Sequence, residues 1–126
     1  MPWTIDYLPD EKTVLIVSTG ETTAADSGAQ TKAAIELQAK HDARRFLLDY
    51  SKTRVSAPLA EIYNLPDYYQ KRGVPHTIRI AVVFPADHYQ HEKYEFYEDV
   101  CRNRGYTSRV FDNLEAAWAW LKEEPN

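Results

Sequence analysis

Trp3, Ile5 and Tyr7 alternate with Thr4 and Asp6, the period-2 pattern of a strand with one covered face. Pro9 and Asp10 supply turn chemistry. Thr13–Thr19 (TVLIVST) is a run rich in β-branched residues and reads as a second strand, paired with the first in a hairpin. From Thr22 to His41 the period lengthens to that of a helix, with Thr22 or Thr23 as N-cap. Ala24, Gly28, Thr31, Ile35 and Ala39 recur at helical spacing and are mostly small. A glycine inside a helix costs up to about 1 kcal/mol relative to alanine, so this face is expected to pack closely on the element it covers.

Arg45–Tyr50 (RFLLDY) is a third strand. Ser56–Gly73 reads as a second helix, with Ser56 as N-cap, Pro58 in the first turn where its missing N–H does no harm, and Gly73 as the stop. Pro66 deletes a helical hydrogen bond and crowds the preceding turn, which predicts a kink or a break into two short helices near Leu65. Thr77–Phe84 (TIRIAVVF) is nearly continuous in apolar content, as expected of a central strand covered on both faces. A third helix follows, capped by Asp87, carrying Tyr94, Tyr97, Val100, Cys101 and Arg104 in phase and ending at Gly105. TSRVFD is a short last strand, and a final helix capped by Asp112 or Asn113 buries Leu114, Ala117, Trp118 and Leu121. The order β-β-α-β-α-β-α-β-α predicts a single domain over residues 1–126. Its class is α/β, with a mostly parallel five-stranded sheet, right-handed crossovers and one antiparallel edge strand.

A chain of 126 residues buries roughly two-thirds of the surface it exposes when unfolded, enough core to fold without staples. The net charge of −4 and pI of about 5.5 argue against general affinity for nucleic acid or for anionic membranes, since both need a basic surface. Cys101 is the single cysteine, so no disulfide forms within the chain, which is consistent with a reducing compartment. The N-terminal residues do not read as a secretory signal, and no apolar run approaches the roughly 20 residues of a bilayer span. A cytoplasmic location is the expectation.

Three stretches carry a family resemblance: RFLLDYSKTR, LAEIYNLPDYY, and RIAVVFP together with FYEDVCRNRGYTSRVFDNLEAAWAWL. They resemble the STAS domains (sulfate transporter and anti-sigma-factor antagonist, the SpoIIAA-like fold). More closely, they resemble small stand-alone bacterial proteins described as STAS/SEC14-like. The resemblance implies strands wound in sequence as a βα superhelix, with the helices gathered largely on one side. In phosphorylated members, the exit of the central strand continues into an Asp-Ser-Ser-Gly motif at the next helix start, and one serine accepts the phosphoryl group. Asp49 and Ser51 match the Asp-x-Ser element, but Ser56, Ala57, Pro58 and Leu59 stand where Ser-Ser-Gly would be. The resemblance thus implies Ser56 or Ser51 as a phosphoacceptor or regulatory position. Their residue types by themselves favour a helix cap and a turn held by Asp and Ser side chains.

Other candidates weigh less. Ser18–Thr23 (STGETT) joins a strand to a helix but lacks the lysine and the second glycine of a phosphate loop, and Glu21 repels anions. His88, His91, Glu92 and Glu95 have metal-ligand spacing on a first helical turn, yet acids are favoured there electrostatically, and no metal or other cofactor is expected. His41 suits the end of its helix, and His76 stands in a connector. Cys101 falls on a buried stripe, where a thiol is an inert small hydrophobe. Nine tyrosines exceed what one-stripe packing places in a core. Tyr63, Tyr68 and Tyr69 therefore suggest an interface, because tyrosine offers apolar area with a polar tip. The resulting reading is a non-enzymatic, regulatory binding module that works by protein–protein association, with a partner or with a second copy. The alternative is a carrier or sensor of a small molecule, for which the SEC14-like resemblance implies an apolar ligand. Its polar pocket would be at Asp49, Ser51, Thr22 and Thr23, next to the kinked helix over residues 57–72.

Overall fold

A computed structural model describes residues 2–86 and 90–123. Strands β1 (Trp3–Leu8) and β2 (Thr13–Thr22) form the antiparallel hairpin. Strands β3 (Arg45–Val55), β4 (Arg79–Val83) and β5 (Thr107–Phe111) add in sequence, each parallel to the one before, so the sheet order is β1-β2-β3-β4-β5. Helices α1 (Ala24–His41), α2 (Leu59–Lys71) and α3 (His91–Asn103) cover one face, while α4 (Leu114–Lys122) covers the other. Successive strand residues point to opposite faces. Phe46, Ile80 and Val82 therefore meet Ile62, Tyr69, Tyr94 and Tyr97 on the three-helix side, and Leu47, Ala81 and Val83 meet Ala117, Trp120 and Leu121 on the other. Two cores drawn from the same strands explain the unbroken apolar run of β4.

The strands that lead to the candidate site are longer than their apolar runs. β2 continues to Thr22 and β3 to Val55, pairing Thr19–Thr22 with Lys52–Val55 beyond the reach of β4, which pairs only with Arg45–Asp49. Val17 faces Asp49 but Thr19 faces Lys52, so Tyr50 and Ser51 together oppose Ser18: a β-bulge on β3. The bulge flips the side-chain phase, which turns Thr53 and Val55 inward. Asp49 and Ser51 thus lie within the strand and not at its exit.

Thr23 caps α1 through a capping box, its Oγ1 accepting from Asp26 N (3.1 Å) and Asp26 Oδ2 accepting from Thr23 N (3.1 Å). The covered face of α1 is not the expected one. Gln30, Thr31, Ala34 and Gln38 are buried, Ala24, Gly28 and Ala39 are exposed, and a Cβ on Gly28 would meet nothing within 4 Å. The helix is turned so that Gln30 reaches polar groups of the sheet and Gln38 donates to the Ala43 carbonyl of the following turn. Helix α2 starts later than expected, with Pro58 at the cap position and no side-chain cap, so Ser56 is not the N-cap. It runs as one helix through Pro66, not as two. Gly73 (φ 82°) and Gly105 (φ 87°) terminate α2 and α3 in the left-handed region, as glycine allows. Asn113 caps α4, accepting from Ala116 N at 2.8 Å. In α4, Trp120 joins Ala117 and Leu121 in the buried stripe, while Leu114 is 40% exposed and Trp118 half-buried. Asp87, the expected cap of α3, lies outside the described residues.

Candidate functional site

The extended β2–β3 arm brings a set of hydroxyl groups under α1. Thr53 Oγ1 donates to Gly20 O at 3.1 Å, which uses its proton. Thr22 must then donate to Thr53 (2.6 Å between the oxygens), and Ser18 to Thr22 (2.7 Å). Gln30 Nε2 donates to Ser18 Oγ at 3.2 Å, and Gln30 Oε1 accepts from the Tyr50 phenol. The hydrogen bonds thus run in one direction, from Tyr50 through Gln30, Ser18, Thr22 and Thr53 to the Gly20 carbonyl. Tyr50, Gln30, Ser18, Thr22 and Thr53 are all buried and only Gly20 is exposed, and each buried polar group of the run finds a partner, which a low-dielectric interior demands. Burial, then the neighbouring Tyr94 and Asp26, push the Tyr50 phenol well above its ordinary range, so it stays a neutral donor.

Beside this network lies a cavity of about 60 Å³, lined by Thr22, Gln30, Tyr50, Ile62, Tyr69 and Lys93 among others. A water needs roughly 10–15 Å³ of such space, so the cavity has room for a few waters at most and not for a lipid chain. Beside it, the start of α3 is tied to the end of β3. Gln90 pairs with both backbone groups of Val55, accepting from its N–H (2.7 Å) and donating to its C=O (2.6 Å). Lys93 Nζ donates to the carbonyls of Val55 and Ala57, each at 2.9 Å.

The expected pocket residues do not meet. Thr22 lines the cavity, and Thr23 caps α1 outside it. Asp49 follows Leu47 in phase and so belongs to the α4 face of the sheet. Its Oδ1 accepts from both Ser51 N (3.1 Å) and Ser51 Oγ (2.7 Å). At the bulge the Ser51 amide thus has the Asp49 carboxylate as an acceptor. Ser56 is exposed, with its amide (2.9 Å) and its hydroxyl (3.3 Å) both donating to Thr22 O. Gln30, Tyr50, Thr53, Gln90 and Lys93 carry no functional mark in the sequence, and Ser18 stands out only as the start of the STGETT stretch. The buried phase of α1, Gln30 with Gln38, was the one signal present.

The tyrosines divide. Tyr69 belongs to the core and not to a surface: it is 5% exposed, shares a 2.8 Å hydrogen bond with the Tyr97 hydroxyl and meets Tyr106 edge-on at 5.9 Å. Tyr68 is half-buried under the Arg72 guanidinium, 4.6 Å from its ring centre. Tyr63 is 52% exposed and lies 6.5 Å from Phe96 of α3, with Leu59 one turn before it at 48% exposure.

Among the described residues no group of three His, Cys, Asp or Glu side chains could hold a metal. His91 pairs with Glu95 (3.3 Å) and stacks on Phe84 (5.1 Å), and His88 and Tyr89 lie outside the described residues. His41 stacks on Tyr7 at 4.2 Å, and His76 on Tyr106 at 4.4 Å. Burial pushes the Cys101 thiol up to about 12, against hydrogen bonds with Tyr97 and Ser108 that pull it down. It is a neutral core thiol. Among the described residues no helix is long and apolar enough to cross a membrane.

No family pattern matches this chain, and no curated protein matches it. Among solved structures it is similar to an uncharacterised protein of the DUF3478 family with a SpoIIAA-like fold from Shewanella loihica. The TM-score is 0.58 at 14% identity, over 94% of this chain and 91% of that one. At that identity the likeness speaks for the fold alone. The fold of this chain is SpoIIAA-like, as the sequence resemblance implies.

Proposed function

We propose that this chain is a non-enzymatic binding module that docks a protein, a partner or a second copy of itself, on the outer face of α2 and α3. The observation that supports this most is the cluster of Leu59 and Tyr63, both about half exposed, beside the Phe96 ring. Scattered apolar residues on a surface are ordinary. Here two large ones stand one turn apart on α2 and a third adjoins them from the neighbouring helix. A tyrosine flanked by aliphatic and aromatic groups is the kind of anchor that dominates interface energetics. Farther along α2 the surface is charged, with Asp67 bonded to Arg104 (2.9 Å) and to Lys71 (3.1 Å), as suits the rim of such a patch. A standard interface buries about 800 Å² on each partner, so docking would draw in this rim as well.

The test is a Leu59→Ser/Tyr63→Ser double variant, compared with the parent by sedimentation velocity over a concentration series and by capture of crosslinked partners from the native host. Loss of an anchor is expected to weaken association by about thirtyfold or more, since such residues contribute at least 2 kcal/mol, with the melting temperature nearly unchanged. Equal association and equal partner recovery in parent and variant would refute the reading, as would a parent that associates with nothing.

A further inference from the structure

We propose a second binding site, for the oxyanion group of a small molecule, at the N-terminal edge of the parallel strands, with Arg44 and Arg79 as its recognition residues. A concavity of about 480 Å³ opens there between the α1–β3 turn, the α2–β4 connection and the start of β5, with Asp42, Arg44, Thr77, Arg79 and Thr107 in its lining. That size is in the range of small-molecule sites. It lies at the opposite end of the strands from the α2 N-terminus, so it is independent of the docking face.

Two arginines at this edge differ in how their donors are satisfied. Arg45 and Arg79 are register partners on adjacent strands. The Arg45 guanidinium donates to Leu121 O (2.9 Å) and to Glu11 O, and so does structural work. Arg79 is held by packing alone: its guanidinium stacks 4.1 Å over the Trp120 ring, and its Nε is buried without a hydrogen-bond partner among the described residues. Buried N–H donors are almost always satisfied. A stacked guanidinium with unused donors is an arrangement suited to a planar or tetrahedral oxyanion, which it can bind through two parallel hydrogen bonds. Arg44 precedes Arg45 on the turn, exposed, with its carbonyl accepting from Arg79 N at 3.2 Å, and among the described residues neither Arg44 nor Arg79 pairs with a carboxylate within ion-pair distance. Among the described residues Asp42, exposed at the turn, is the one acid in the lining, against the two arginines. Thr77 and Thr107 add hydroxyl donors, and the remaining volume would take the body of the ligand.

The probes are inorganic phosphate and succinate, titrated separately into the whole protein at low ionic strength and followed by amide and indole NMR shifts, with sodium chloride at matched ionic strength as the control. Saturable shifts are expected at Ala43, Thr77, Thr107 and the Trp120 indole. Arg44→Gln should weaken binding about tenfold or more, the loss that goes with a charge-assisted hydrogen bond. Arg79→Lys, which keeps the charge but not the fork, should weaken it similarly. Arg44 is exposed, so its variant tests the site even if changes at Arg79 disturb the Trp120 stack. Saturation by phosphate alone assigns a phosphate group, by succinate alone a carboxylate, and by both an oxyanion site without discrimination. Shifts reproduced by chloride, or undiminished in Arg44→Gln, would overturn the proposal.

Discussion

Replacing Gln30 by methionine, of nearly equal length, tests whether the directed run of hydrogen bonds holds α1 on the β2–β3 arm. Gln30 is 1% exposed and serves two partners, accepting from the Tyr50 phenol and donating to Ser18 Oγ. Gln30→Met strands the buried Tyr50 hydroxyl, which costs about 1–3 kcal/mol, and removes one of the bonds at Ser18, worth about 1 kcal/mol. Burying a thioether in place of an amide offsets part of this, leaving about 2 kcal/mol of destabilisation. Tyr50→Phe strands the Gln30 carbonyl instead and should cost about 1–2 kcal/mol. The double variant strands neither group, so its cost should fall near 1 kcal/mol. The singles therefore overshoot the double by about 2 kcal/mol, the signature of two residues that need each other. Urea unfolding at neutral pH, followed by tryptophan fluorescence and far-UV circular dichroism, gives the three free energies if the m-value is unchanged. Additivity within about 0.5 kcal/mol would refute the reasoning, because the Tyr50–Gln30 bond would then contribute nothing beyond its separate parts.

Two further outcomes follow from the same structure. Thr23→Ala should destabilise by about 1 kcal/mol through loss of the capping box, whereas Ser56→Ala should stay within about 0.5 kcal/mol because Ser56 caps no helix; equal losses in thermal melts would contradict the assignment of caps. The buried Cys101 thiol ionises near 9.0 in the unfolded chain and near 12 in the native one. Its stabilising effect is intact below pH 9, and above it the unfolded state binds fewer protons, so stability falls by up to about 1.4 kcal/mol per pH unit. The buried phenols of Tyr50, Tyr69 and Tyr97, whose ordinary value is 10.0, steepen the decline above that pH. Cys101→Ala should flatten the urea midpoint between pH 9 and 10, and an unchanged slope there would sink the assignment.

The Leu59–Tyr63–Phe96 patch was half legible in the sequence. Tyrosine enrichment points to a surface, but Tyr63 and Tyr69 stand on the same short helix and fare oppositely. Tyr69 falls on the side of α2 that meets Phe46 and Tyr97, and Tyr63 on the outer side, half exposed, with the Phe96 ring 6.5 Å away. Counting tyrosines cannot separate them without the rotation of the helix. The polar network was harder still. Thr22 reads as a helix cap, Thr53 as part of a connection and Ser18 as an ordinary strand end, and only strand pairing makes them interior.

Composition and periodicity by themselves determined the order of nine elements, the parallel sheet, the antiparallel first hairpin and the glycine ends of α2 and α3. These depend on local terms: which side chains fit a pleat, which residues cap or stop a helix, and how often an apolar residue recurs. Tertiary structure alone decided which face of α1 is covered, that β3 runs past its apolar core to Val55, that a bulge places Asp49 and Thr53 on opposite faces, and that Trp120 displaces Leu114 from the buried stripe of α4. Each of these follows from partners distant in sequence. A polar strand end becomes a strand only when another backbone satisfies its amides, and a helix presents glutamine to the core only when the sheet beneath offers hydroxyl groups to meet it.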